Sequence, residues 1–290
     1  MRLHSTCVWV GISFMAMITL EFVYLAHNHL ATYEKHFNRE VYEARDAVPV
    51  YYPRIVASYP HDTSAFTQGL CFLGNDLYES VGIKGRSAVR HLLLNISIPV
   101  NAHRNSPDEF GEGLTAFGNQ LYQLSYRSRR VFVYDRALNA RPELRYPFEG
   151  WGLTHDKYSF IASNGSEYLM YFDPRMRLRR TLKVSAWQLP EDAQVRPWPV
   201  RIKRLNELEF VNGYILANIY KSNFIAVISP ATGYVVQWLN LTSLVPSSMR
   251  HPEAVLNGIA HQEGSSEMLI TGKFWPYLVS LSVPRHLLKR

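Results

Sequence analysis

Cysteine is almost missing from this chain: Cys7 and Cys71 are the only two among 290 residues. A disulfide-stapled scaffold and a cysteine-rich zinc module are therefore excluded. Charge is sparse too, at 19% Asp, Glu, Lys and Arg, while 47% of the residues are apolar and 13% aromatic. A disordered chain does not have that balance, and a body of this size buries a substantial core without staples. Acidic residues are the scarcer sign, 24 against 31 Lys and Arg, for a net charge of +7. The whole surplus sits between Arg175 and Arg204, where nine basic residues face only Glu191 and Asp192. No nucleic-acid motif accompanies them. The segment reads as a solvated rim, with attraction of acidic peptides or an anionic membrane face as the alternative.

One long apolar run is present. Residues 7–26 read CVWVGISFMAMITLEFVYLA, about one bilayer's worth of helix, with Glu21 as its single charge. A cleavable signal peptide competes with this reading, but cleavage after Ala26 would put Tyr24 where a small residue is needed. We expect a transmembrane signal anchor behind a short flank at residues 1–6. Glycosylation triplets begin at Asn95, Asn164 and Asn240 and fit a glycoprotein whose body is lumenal or extracellular. Over residues 27–53, Leu30, Tyr33, Phe37, Val41 and Ala44 fall at helical spacing, which predicts a short helical stalk closed by Pro49 and Pro53.

The rest of the chain repeats itself. An apolar residue, a polar one and then Gly-Leu or a variant recur in FTQGLCF from Phe66, FGEGLTAF from Phe110, EGWGLT from Glu149, LNELEF from Leu205 and VLNGIA from Val255. A second apolar run follows each copy, as in LYESVG, LYQLSY and YILANIY, and a third follows most, as in RVFVYDRA and FIAVISP. Short runs of Val, Ile, Leu, Phe and Tyr bounded by Gly, Asn, Asp and Pro are strands. Three or four strands per unit, at a period of roughly 40 to 55 residues, match propeller blades. The predicted fold is all-β: a five-bladed β-propeller over residues 54–284, with a basic tail at 285–290. Arg54–Pro60 has no repeat of its own, and open edges invite aggregation. It is expected to complete the last blade against the C-terminal strands.

In a propeller the first strand of each blade is innermost. The repeat therefore brings Gln68, Glu112, Trp151, Glu207 and Asn257 to the axis, and the second strands add Glu79, Gln123, Asn164, Asn218 and Lys273. Phe66, Phe110, Tyr126, Trp151, Tyr220 and Trp275 supply aromatic walls. An aromatic pocket with a few convergent polar groups is the usual form of a small-ligand site. Taken one at a time, Gln68, Glu207 and Asn257 read better as hydrogen-bonded links between blades than as ligand contacts. Glu112 differs in lying between glycines, where no bulky neighbour covers its carboxylate. Lys273 is a cation among aromatics, costly without an anionic partner or substrate.

FTQGL, YES-x-G, FGEGL, FEGWGLT, LNELE, LNGIA and TGK-x-WP, in this order over about residues 54 to 283, resemble the plant-type glutaminyl-peptide cyclotransferases. The resemblance implies a five-bladed propeller that converts N-terminal glutamine of peptides and proteins to pyroglutamate with release of ammonia. It implies Glu112 as the proton shuttle and Lys273 as the stabiliser of developing negative charge. Gln68 and Asn206 are expected to orient the substrate, with Phe66, Phe110, Tyr126, Trp151 and Tyr220 as walls; Gln123, from the second strand of its blade, is expected among the substrate-binding residues. No metal and no cofactor are required, and a structural divalent cation in the channel is compatible with this chemistry. His61, in YPHD, fits the family pattern and reads as structural. The family pattern has tryptophan where this chain has Tyr126 and Tyr220, and SDGS where it has Ser163-Asn164-Gly165-Ser166. Two other readings compete: a non-catalytic, membrane-anchored propeller that binds peptides or glycans, and a metal-dependent lactonase or esterase using Glu79, Glu112, Glu207 and Asn257.

Overall fold

The Gly-Leu repeat marks the strands on which the molecule closes. The computed structural model describes residues 48–188, 198–247, 251–284 and 287, and in them five antiparallel blades follow one another. Blade one consists of Thr67–Leu73, Asp76–Val81, Ala88–Leu92 and Asn101–Arg104; blade two of Gly111–Phe117, Gln120–Ser125, Arg130–Tyr134 and Ala140–Arg145. Blade three is Leu153–His155, Phe160–Ala162, Tyr168–Phe172 and Leu178–Lys183; blade four is Leu205–Val211, Tyr214–Ile219, Phe224–Ile228 and Val235–Asn240. Blade five is Leu256–His261, Glu267–Gly272 and Tyr277–Ser282, with Ile55–Pro60 as its outer strand. The first strands of successive blades pack on one another around a closed ring.

Burial follows that layout. Thr67–Leu73 and Leu205–Val211 are buried except for Phe72 and Phe210, whereas Ala140–Arg145 and Leu178–Lys183 are mostly exposed. A strand held between two blades has no solvent face, so it reads as a continuous apolar and small-residue run. The glycines of the repeat have a steric cause. A Cβ on Gly69 would strike the backbone nitrogen of Leu114, one on Gly113 that of Leu153, and one on Gly152 the carbonyl oxygen of Asn206. The apolar core lies in slabs between blades, such as Leu124, Leu153, Phe160 and Phe172, or Val211, Ile259, Ile270 and Trp275.

A second device recurs on the inner strands. An extra residue bulges out between Thr67 and Gly69, Gly111 and Leu114, Leu205 and Leu208, and Leu256 and Ile259. Bulges re-aim side chains, and these carry Gln68, Glu112, Asn206 and Asn257.

The seam closes as expected, with Ile55–Pro60 antiparallel to Tyr277–Ser282. Two features differ from expectation. The spacing predicts a stalk through residue 53, yet Val50–Tyr51 forms a strand parallel to Val235–Asn240 at the edge of blade four, and Val48 is buried. Proline is tolerated beside an edge strand, and the Pro49 carbonyl still accepts a bond from Trp238 N–H. The wide crossing from blade three to blade four holds a hairpin, Ser185–Gln188 with Trp198–Arg201, whose Trp187 stacks on Tyr234 at 5.0 Å. The expected membrane helix at 7–26, the stalk up to residue 47 and all of the tail but Leu287 lie outside the described residues. Among the described residues no helix is long and apolar enough to cross a membrane.

Candidate active site

One mouth of the ring is built by a hydrogen bond repeated from blade to blade. The N–H groups of Gly82, Tyr126, Tyr220 and Lys273, each just past a second strand, donate to the carbonyls of Phe66, Phe110, Arg204 and Val255, all at 2.9 Å. A single blade position thus carries Gly82, Tyr126, Tyr220 and Lys273 in blades one, two, four and five. Gly82 is small there because the Phe110 ring occupies the space a Cβ would need.

The rings converge. Phe66 lies 5.9 Å from Phe110 and 5.3 Å from Phe274, Phe110 5.7 Å from Tyr126, and Trp151 5.8 Å from Tyr220. All of them are partly exposed. Beneath this collar Gln68, Glu112, Asn206 and Lys273 are buried. The Lys273 ammonium stands 4.3 Å from the centre of the Phe66 ring and 5.5 Å from that of Tyr220, within cation–π range. At the rim, Trp151 Nε1 donates to Glu149 at 3.1 Å. The Tyr220 hydroxyl donates to Glu253, with the two carboxylate oxygens at 2.8 and 2.9 Å.

Burial pushes the Glu112 carboxyl well above the ordinary carboxylate range; Lys273 and a hydrogen bond from Gln68 pull it back, while Glu149 pushes it further up. Burial also lowers Lys273 from the ordinary amine value, with Lys221 adding to the shift and Glu112 and Glu253 opposing it. The two shifts run in opposite directions, Glu112 up and Lys273 down, and each group partly restrains the other. Asn257 Nδ2 donates to the Thr67 carbonyl at 2.8 Å and to Gln68 Oε1 at 3.2 Å. That leaves the Gln68 amide nitrogen to face Glu112.

The structure brings Phe66, Gln68, Phe110, Glu112, Tyr126, Trp151, Asn206, Tyr220 and Lys273 to one mouth. Gln123 is not among them and is corrected. It has no exposure, its Nε2 donates to Ser80 Oγ at 2.8 Å, and its Oε1 accepts from Asn105 at 2.9 Å, so it ties blade two to blade one. Glu207 also leaves the set: its oxygens accept the N–H groups of Leu70 and Ile259 at 3.4 and 3.0 Å. Asn206, expected from the resemblance to orient the substrate, stands one residue earlier on the same bulge, at the position equivalent to Gln68 and Glu112. Glu79 and Asn218 are likewise fully buried in links between strands. Trp275 is fully buried, with its Nε1 donating to the Ala254 carbonyl at 3.3 Å, and Phe274 lines the pocket instead. In TGKFWP two aromatics adjoin, and only the left-handed turn at Phe274, φ 63°, decides which one faces the mouth. Glu149 and Glu253 were missed because no motif marks a rim carboxylate.

A sequence profile of the glutamine cyclotransferase family matches residues 25–283. The chain belongs to the glutamine cyclotransferase family. It is 35% identical over 235 residues to the glutaminyl-peptide cyclotransferase of Arabidopsis thaliana, covering 79% of this chain and 70% of that protein. The crystal structure of Myxococcus xanthus glutaminyl cyclase superposes with a TM-score of 0.71 at 33% identity, covering 82% of this chain and 100% of that one. In this glutamine cyclotransferase the tyrosine at position 220 keeps an aromatic face and gains an anchor at Glu253. Asn164, in place of the expected aspartate, accepts bonds from the Ser166 N–H at 3.2 Å and from its hydroxyl at 2.6 Å, closing its own turn. Among the described residues no group of three or more His, Cys, Asp or Glu is placed to hold a metal ion.

Proposed function

We propose that this chain is a glutaminyl-peptide cyclotransferase that closes N-terminal glutamine of peptides and proteins to pyroglutamate and releases ammonia. The observation that carries the reading is the pairing of a buried carboxyl, Glu112, with a buried ammonium, Lys273, under one aromatic collar with no hydrogen bond between them. A substrate supplies what lies between them.

The collar holds the glutamine side chain curled, so that its own amine and amide carbon meet as neighbours. An incoming α-ammonium is a cation beside Glu112 and favours the carboxylate form. Glu112 takes the ammonium proton, and the free amine attacks the side-chain carboxamide carbon, Cδ. Negative charge gathers on the amide oxygen, where Lys273 stabilises it. Glu112 gives its proton to the departing nitrogen and takes the second proton from the new ring nitrogen, which it passes to solvent. Ammonia leaves and a neutral five-membered lactam remains. Gln68 fixes the Glu112 carboxyl, and Asn206, on the equivalent bulge of blade four, orients the amide.

Incubation with a glutamine-initiated peptide, followed by mass spectrometry for loss of ammonia, tests the function. Cyclisation above the spontaneous rate is expected, unchanged by a chelator because no step uses a metal. Glu112→Gln is expected to lower kcat by about 10²- to 10⁴-fold while circular dichroism stays native; retained turnover would show that another group moves the proton. The apolar run at 7–26 and the Asn-X-Ser/Thr triplets support a membrane-anchored, glycosylated enzyme with a lumenal or extracellular body. Fractionation of cells expressing the full chain, with glycosidase treatment, checks both.

A further inference from the structure

One buried titratable group has no part in the chemistry above. His61 follows the outer strand of blade five and is 4% exposed. Its Nδ1 lies 2.9 Å from the carbonyl oxygen of Trp275, and its Nε2 lies 3.0 Å from Glu79 Oε1. Both partners are acceptors, so both bonds form only when both ring nitrogens carry protons. Burial disfavours that charge, but Glu79 and the Trp275 carbonyl outweigh it, against a smaller opposition from Arg90, and the imidazole is raised above its ordinary range.

The surroundings balance the charge. Arg90 donates to Glu79 through Nε at 3.1 Å and through Nη2, and to Asp62 through Nη1 at 2.7 Å. Thr67 Oγ1 adds a bond to Glu79 at 2.6 Å, and Thr271 Oγ1 lies 3.4 Å from His61 Nδ1. Two cations thus face two carboxylates.

The attachments of this cluster matter more than its stability. Thr67 precedes Gln68. Trp275 closes the turn that begins with Lys273 and Phe274, and His61 N–H donates to the Pro276 carbonyl of the same turn at 3.0 Å. Phe274 N–H donates to the Ala65 carbonyl at 2.6 Å, beside Phe66. Pocket residues of the first and last blades are therefore laced together across the seam, and His61 holds two of the ties.

We propose that His61, as an imidazolium bridging Glu79 and the Trp275 carbonyl, is a positioning residue that sets the Lys273 ammonium over Phe66. The proposal rests on the cyclotransferase reading of the site. Neutral imidazole has one N–H and keeps only one of the two bonds, so the turn loosens as pH rises through the His61 pKa, with Glu79, Asp62 and Arg90 still charged.

A double-mutant cycle separates positioning from general stability. Rates on a glutaminyl dipeptide are compared for the wild type, His61→Asn, Lys273→Met and the double variant. His61→Asn is expected to lower kcat between about 10- and 100-fold, with KM moved less. In the Lys273→Met background the same substitution is expected to add little, because no ammonium remains to be placed. Equal losses in both backgrounds overturn the proposal. A wild type without activity overturns the reading of the site instead, which distinguishes the two failures. Side-chain nitrogen NMR on the wild type needs no variant to fold. It is expected to show His61 doubly protonated at the pH of maximal activity, and a neutral tautomer there overturns the clamp.

Discussion

Glu79, Glu112 and Glu209 are all buried on the inner part of the ring, yet their neighbours set different charge states. Burial opposes ionisation of Glu79, but Arg90 and His61 outweigh it and hold its carboxyl at about 2. Glu209 has only neutral donors, the His261 N–H at 2.9 Å and the Thr154 hydroxyl at 3.4 Å, so burial pushes it up to about 8. Glu112 is pushed well above the ordinary range by burial, with the Lys273 cation near but unbonded and pulling it back, which suits a group that must gain and lose a proton. The Glu209 shift is testable. Its folded value is raised above 4.5, so its contribution to stability is full below about 4.5 and is lost as pH rises through about 8. Glutamine does not titrate and its oxygen can still accept from His261. Thermal melts should show Glu209→Gln gaining on the wild type between about pH 5 and about pH 8. A constant difference across that range would contradict a neutral buried carboxyl.

The inner strand is the element that decides both fold and site. Its glycines mark contact between blades, and its bulges turn polar side chains into the mouth. Gly152→Ala places a methyl group against the Asn206 carbonyl, on the strand that presents the Asn206 side chain. Overpacking of this kind costs about 1–3 kcal/mol, to be read by urea denaturation, and KM for the peptide should rise with it. At this scale the strands and the blade period were legible, because buried runs and turn residues are local signals. The register was not. The bulge adds a residue that spacing alone does not reveal, so Glu207 was aligned where Asn206 stands. Gln123 was assigned to substrate for a similar reason: its true equivalents are Glu79, Ala217 and Ile270, while Lys273 is equivalent to Tyr126 and Tyr220.

Closure governs the whole molecule. The last blade borrows its outer strand from residues far away in sequence, and the His61 cluster is built on the same junction. A chain beginning at residue 61 leaves Tyr277–Ser282 as an open edge and is expected to aggregate, as measured by sedimentation. A synthetic peptide of residues 54–60 added during refolding should restore solubility; a soluble, folded truncation without it would show that the seam is dispensable. The charge surplus also changes meaning at this scale. Arg177 and Arg179 pair with Asp173 at 2.8 and 2.7 Å, and Arg201 with Glu167 at 3.4 Å. These acids lie just outside the basic segment in sequence but beside it in space, so the exposed strand of blade three is less one-sided than its composition.

Sequence by itself determined the blade count, the borrowed strand and most of the pocket. Those follow from repetition, periodicity and side-chain chemistry, which are written residue by residue. The tertiary structure alone decided that Phe274 rather than Trp275 faces the mouth and that the Glu207 carboxylate is held by the N–H groups of Leu70 and Ile259. It also decided that Gln123 joins blades and that His61 stands between Glu79 and the Trp275 carbonyl. Each of these depends on a backbone turn, a bulge or a partner distant in the chain, and so on which groups the closed ring brings within reach.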